Sequence, residues 1–384
     1  MLKHWRAWQQ IRKVGARRRG RQLVMFYSHG RQDWPHLWPL ATALSEASSA
    51  QILYVCATAD DPGNLVVYPG VDRLLLDGTL MCAAFMATAE ADICVSTLPD
   101  LGMSIWKRSG RIERYVFVPH SLVSCHMIYR GGAFDQFDEI FCAGPHHVAE
   151  LRALERQRNL SSKFLFEFGY PKLDTILHSS FGAPRVQSTR SILIAPSWGA
   201  PGLLELHGRE MIRSLVDHGY RVVVRPHPET TKRSAFAMNN LRREFSRCQE
   251  VTFDFAFDSA SSYAEADLMI SDWSGAAFEY SFSMGRPVLF VDIPRKVNNP
   301  DYPVLGIEPV EVWARERIGS VVAIDELARL CDRVGMMLDT WDEKRKSGLD
   351  SLRKSLVFNP GASARSGAAR LVELLRSSSE GARS

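Results

Sequence analysis

Short apolar runs at residues 22–27, 51–56, 92–95, 114–118, 139–142 and 164–168 predict buried strands. Between them, residues 35–47, 80–90 and 146–156 carry apolar positions at helical spacing, and Pro35 falls in the first turn of the first of these. Strands alternating with helices indicate a mostly parallel, doubly wound sheet. A stretch rich in Gly, Pro, Ser and Thr at 181–190 breaks this pattern and predicts a domain boundary.

A second alternation follows, with strands at 191–195, 220–224 and 251–255 and helices near 203–218 and 235–247. It leads into residues 267–292, a buried strand, a polar turn, a helix of about ten residues and a second buried strand, which together form a βαβ unit. A proline-containing loop at 298–309 and helices near 324–341 and 364–375 close the chain. The expected organisation is a leader over 1–21, an N-terminal domain over 22–180, a C-terminal domain over 190–375 and a frayed tail over 376–384.

With 384 residues and 46% hydrophobic content, the chain is long enough for two substantial cores. No apolar run approaches the roughly 20 residues that span a bilayer, and the N-terminus lacks the apolar segment of a secretion signal, so a cytoplasmic location is expected. Seven scattered cysteines without a CxxC pair read as reduced core residues, with neither a zinc site nor a disulfide framework.

The net charge of +4 is unevenly placed, because the first acidic residue is Asp33. Lys3, Arg6, Lys13 and Arg17 share one helical arc, with Trp5, Trp8, Ile11 and Val14 largely opposite and an arginine cluster following. That pattern suits a helix lying on an anionic membrane surface, and equally a solvated basic leader. No second basic and aromatic surface points to nucleic acid.

In parallel α/β sheets ligands gather beyond the carboxyl ends of strands. Five polar strand ends stand out: Ser28-His29-Gly30, Pro119-His120-Ser121, Gly169-Tyr170-Pro171, Arg225-Pro226-His227-Pro228 and Ser271-Asp272-Trp273-Ser274. In the fourth, two prolines stiffen a turn in which Arg225 offers a planar fork of donors to a phosphate and His227 donates to a phosphate oxygen or leaving group. In the fifth, Ser271, Asp272 and Ser274 serve either as helix caps or, with the amides of the first helical turn, as an anion site. His120 is a candidate general base near neutral pH. No HExxH spacing is present, and Asp60-Asp61, followed by Pro62 and Gly63, reads as a turn.

Taken together, His120, Gly169-Tyr170-Pro171-Lys172-Leu173-Asp174, Arg225-Pro226-His227-Pro228 and Ser271-Asp272-Trp273-Ser274 with Phe278-Glu279-Tyr280 resemble the CDP-glycerol glycerophosphotransferase family of teichoic-acid and capsule polymerases, over about residues 110–300. The resemblance implies a GT-B-like α/β architecture, two Rossmann-like domains with mostly parallel sheets facing a central cleft, and chemistry without a metal or other cofactor. It implies His120 as the base for an acceptor hydroxyl and His227 at the donor phosphates. Arg225, Ser271, Asp272, Ser274, Gly275 and Glu279 complete the expected donor site. Trp273 stands where the family has tyrosine, Gly275 where it has a last serine, and Ser121 where it has glycine.

The expected activity is therefore transfer of polyol phosphate from CDP-glycerol or CDP-ribitol to a lipid-linked or polymeric acceptor, with release of CMP, in teichoic-acid-like or capsule synthesis at the cell envelope. The leader would make the enzyme peripheral on the inner face of the membrane. A GT-B glycosyltransferase using a nucleotide sugar, or a noncatalytic nucleotide-binding subunit of a surface-polymer assembly complex, would share the same fold.

Overall fold

In the computed structural model, residues 21–103, 106–179, 189–199, 202–256 and 260–381 are described. Apart from Arg21, the basic leader lies outside these residues, as does nearly all of the predicted boundary at 181–190. The chain divides into two compact units, each organised around one parallel sheet.

The first sheet has seven strands: β1 (Leu23–Ser28), β2 (Gln51–Cys56), β3 (Val71–Leu75), β4 (Ala91–Ser96), β5 (Ile112–Phe117), β6 (Glu139–Cys142) and β7 (Phe164–Glu167). Their order is β3-β2-β1-β4-β5-β6-β7. Every residue of β1 and β2 is buried, as expected of central parallel strands covered on both faces. The order reverses between β1 and β4, which pair in parallel, and this is the switch point at which Rossmann-like sheets bind ligands.

The second sheet has six strands: β8 (Ser191–Ile194), β9 (Arg221–Val224), β10 (Val251–Phe253), β11 (Leu268–Ser271), β12 (Val288–Asp292) and β13 (Gly319–Ala323). Its order, β10-β9-β8-β11-β12-β13, repeats the same topology with the switch point between β8 and β11. Ile194, Val224, Ile270 and Leu289 lie at the centre of its core. Six cysteines are buried, Cys248 is half-buried, and all seven are free thiols.

The units are not the contiguous segments expected from the sequence. Among the described residues, the first comprises those up to Ser121, Tyr129–Thr175 and those from Leu356 onward, and the second Leu122–Ile128 and those between Ile176 and Ser355. The closing helix, Ser363–Gly381, therefore completes the first unit. The reason is burial: Ala368, Leu371, Leu374 and Leu375 enter the core that also contains Val24, Phe26 and Leu40. In the second unit, Ser124 donates from its amide and hydroxyl to the buried Glu311 at 2.9 and 2.8 Å.

Asp174 fixes the start of the closing helix. Its carboxylate accepts from the amides of Gly361 (2.6 Å) and Ser363 (2.9 Å) and from the Ser363 hydroxyl. Asp174→Ala leaves two amides without an acceptor and is expected to destabilise the protein by about 2 kcal/mol, read as a lowered urea midpoint. An unchanged midpoint would show that water replaces the cap at no cost.

Candidate active site

In the first unit, polar groups converge beyond the carboxyl ends of β1, β4, β5 and β7. His120, following β5, donates from Nδ1 to the Thr97 carbonyl at 3.2 Å, and Thr97 itself follows β4. This bond places the proton of the neutral ring on Nδ1 and leaves a lone pair on Nε2. The hydroxyl of Tyr129 lies 3.4 Å from Nε2. Tyr170, in the Gly169-Tyr170-Pro171 motif after β7, donates its hydroxyl to the His120 carbonyl at 3.0 Å.

His120 is exposed to solvent at this surface. Loss of hydration among its neighbours nevertheless lowers its pKa from the ordinary histidine value, partly opposed by Asp33 and by the bond to Thr97. Buried His36, on the Trp34–Ala47 helix, lies 5.1 Å from the Tyr170 ring and 6.4 Å from the His120 ring. Burial holds its pKa well below the ordinary range, reinforced by Lys172 and His120, so it is neutral near pH 7.

In the second unit, the switch point between β8 and β11 is bridged by Asp272. Its Oδ1 accepts the Ser197 amide at 2.7 Å, whereas Oδ2 has no hydrogen-bond partner among the described residues although the side chain is only 1% exposed. Burial raises the Asp272 pKa, while donors from Ser197, the Trp273 amide and the charge of Lys296 oppose the shift. A buried carboxylate oxygen without a donor is a costly arrangement that a ligand hydroxyl or cation would relieve.

The Gly275–Met284 helix begins beside it. Ser274 is its N-cap, accepting the Ala276 amide at 3.3 Å, and half-buried Gly275 occupies the first helical position. Ser271, fully buried, instead donates to the Ala195 carbonyl at 2.8 Å and ties β11 to the end of β8. Glu279 is also buried one turn into the helix and accepts from the Tyr263 hydroxyl at 3.1 Å. The helix-cap and anion-site readings of the turn are thus compatible, because Ser274 caps one amide while the first turn retains its positive end.

His227 caps the short Pro228–Arg233 helix, with Nδ1 accepting the Glu229 amide at 3.1 Å. That assignment puts the proton on Nε2, the opposite tautomer to His120. Arg225 turns its guanidinium to Asp254 and to the Ala256 carbonyl (2.9 Å), so its charge is balanced within the unit.

Residues not singled out from sequence surround the Asp272 turn. Trp198, two residues beyond Pro196 at the end of β8, carries the Lys296 ammonium 3.7 Å from its ring centroid and the Arg233 guanidinium at 5.0 Å. Arg315 stacks on Trp273 at 3.6 Å and pairs with Asp292 at 2.9 Å. The strand-end rule also reaches Ser197-Trp198 after β8 and Arg295-Lys296 after β12. An aromatic residue and a basic pair have no catalytic signature until the fold places them beside a buried carboxylate. Among the described residues no cluster of three or more His, Cys, Asp and Glu is arranged to hold a metal, and no helix is long and apolar enough to cross a membrane.

The model of one family, described as CDP-Glycerol:Poly(glycerophosphate) glycerophosphotransferase, matches residues 143–294. Over that span the chain is similar to glycerophosphotransferases. The matched span contains the Gly169-Tyr170-Pro171 motif, His227, and the Asp272 turn, and ends before Lys296; His120 precedes it. No curated protein matches the chain by sequence.

Among solved structures, the wall teichoic acid polymerase TagF superposes with a TM-score of 0.61 at 13% identity, over 98% of this chain and 99% of that one. A putative UDP-N-acetylglucosamine 2-epimerase from Listeria monocytogenes gives a TM-score of 0.58 at 13% identity, over 94% and 97%. MnaA of S. aureus, solved with UDP, gives 0.59 at 11% identity over 94% and 97%. At such identities the likeness establishes the fold, which is of the GT-B type with two parallel-sheet α/β domains.

Proposed function

We propose that the protein transfers polyol phosphate from a CDP-activated polyol, glycerol or ribitol, to the hydroxyl of a lipid-linked or polymeric acceptor in the synthesis of a teichoic-acid-like or capsular polymer. The observation that carries this reading is the pair of oppositely protonated histidines. With Nδ1 donating to the Thr97 carbonyl, the neutral His120 ring carries its lone pair on Nε2; with Nδ1 accepting the Glu229 amide, the neutral His227 ring carries its proton on Nε2. One is suited to accept the proton of an attacking hydroxyl and the other to donate to a phosphate oxygen.

In the proposed step the acceptor hydroxyl passes its proton to Nε2 of His120 as its oxygen bonds to the phosphorus bearing the polyol. The bond from that phosphorus to the bridging oxygen breaks, and its electron pair leaves with CMP. Charge spreads over the phosphate oxygens, where His227 and the first-turn amides around Gly275 stabilise it. Asp272 holds the Ser197 loop in place through its Oδ1. The work would be done at the inner face of the membrane, where a lipid-linked chain is accessible to a cytoplasmic enzyme, with the basic leader attracted to anionic lipid.

Purified protein incubated with CDP-glycerol, CDP-ribitol and a panel of nucleotide sugars, in the presence of a lipid-linked acceptor extract, tests the proposal. CMP released from a CDP-polyol is expected. A nucleoside diphosphate released from a nucleotide sugar would make the protein a glycosyltransferase. Nucleotide binding without turnover of any donor would favour a noncatalytic subunit.

A further inference from the structure

We propose that Lys296 is the cation that grips the donor's phosphates, held ready on the face of Trp198 beside the buried carboxylate of Asp272; this rests on the donor-binding role given above to the second unit. Lys296 follows β12, the strand paired with β11, so it belongs to the same sheet end as the Asp272 turn and the start of the Gly275–Met284 helix. Of the neighbouring arginines, Arg225 is engaged by Asp254, Arg233 by Glu229 and Arg315 by Asp292, while Arg295 donates to the Tyr302 hydroxyl at 3.4 Å. The Lys296 ammonium is held instead against an aromatic ring, at 3.7 Å from its centroid.

An aromatic face attracts a cation without supplying hydrogen-bond acceptors for its three N–H donors. Phosphate oxygens supply those acceptors together with opposite charge, and a flexible four-carbon stem lets the ammonium follow them. The unpartnered Oδ2 of Asp272 is a second, independent sign that polar ligand groups belong here, since a ligand hydroxyl would satisfy it.

The charged groups facing Lys296 are Asp272 on the β11 turn and Glu229 and Arg233 on the Pro228–Arg233 helix; His227 lies against the same tryptophan, 6.2 Å from its ring. Burial lowers the Lys296 pKa to about 8, with Arg233 adding to the shift and Asp272 and Glu229 opposing it. The ammonium form dominates below that pH and is lost above it. Phosphate binding that needs the charge therefore weakens as pH rises through 8.

Binding of CDP to the full chain, followed by calorimetry between pH 7 and pH 9, tests this without requiring turnover. Wild-type affinity is expected to fall about tenfold across that range, the loss that follows from deprotonating one lysine of such pKa. Lys296→Gln is expected to bind about tenfold more weakly at pH 7 and to lose the pH dependence. Lys296→Arg is expected to restore pH 7 binding and to stay flat to pH 9, because a guanidinium does not titrate there. Circular dichroism establishes that the variants are folded. Wild-type affinity in folded Lys296→Gln, or an unchanged pH profile in Lys296→Arg, would overturn the assignment while leaving the donor role intact. A wild-type protein that binds neither CDP nor UDP would overturn both.

Discussion

His120→Ala is expected to lower turnover of the CDP-polyol donor by about 10²–10⁴-fold, the usual contribution of a positioned general base. The donor's binding constant should change little, because the proposed work of His120 is on the acceptor hydroxyl. The geometry supports a base: Nδ1 donates to the Thr97 carbonyl, and Tyr170 holds the His120 backbone through its carbonyl. Both contacts orient the ring before an acceptor arrives, so little reorganisation remains for the reaction.

The pH profile supplies a second readout. Desolvation lowers the His120 pKa from its ordinary value, so the neutral base persists into more acidic solution than an unperturbed histidine would allow. The acid limb of the wild-type rate should lie below the ordinary histidine range and should disappear in His120→Ala. Turnover within twofold of wild type in the folded variant would remove His120 from the mechanism.

Gly169→Ala is expected to destabilise the protein by more than about 3 kcal/mol, or roughly 6–12 °C in melting temperature. Gly169 has φ = 102°, a backbone conformation that strains any residue with a side chain. A Cβ built there would lie 2.2 Å from the Phe358 carbonyl oxygen and 2.8 Å from Cβ of Ser363. The obstructing atoms are main chain and a buried helix start, which cannot swing aside like the end of a long side chain. Relief would require the segment around 358–363 to move away, weakening the Asp174 cap and the attachment of the closing helix. Because Tyr170 follows directly, turnover should fall as well. Thermal melting within 1 °C of wild type would show that the segment yields at negligible cost.

Central elements were legible because buried parallel strands are short continuous apolar runs, a pattern that needs no tertiary context. β6 was expected at 139–142 and is found there, and β1, β2 and β8 lie within a residue or so of the expected limits. Of the edge strands, β7 and β10 were expected, at 164–168 and 251–255, but β3 and β13 were not. β3, Val-Asp-Arg-Leu-Leu, carries charge at half-buried positions, and β13 begins with Gly-Ser, so neither has a long apolar run to mark it. The Glu343–Leu356 helix was missed for a similar reason, its mostly charged and polar surface leaving few apolar positions to set a period.

By itself the sequence determined two doubly wound α/β halves, the strand ends at which chemistry could gather, and the histidines with reactive potential. Those are local properties of composition and spacing. Only the tertiary structure decided that the last helix belongs to the first unit, that Arg225 is held by Asp254, and that Lys296 and Trp198 meet beside Asp272. The protonation pattern of His120 and His227 also depends on it, because each tautomer is set by a backbone group that the fold brings to one ring nitrogen. Such pairings join residues far apart in the chain or turn on the direction of a single bond, and a one-dimensional pattern of apolar and polar positions encodes neither.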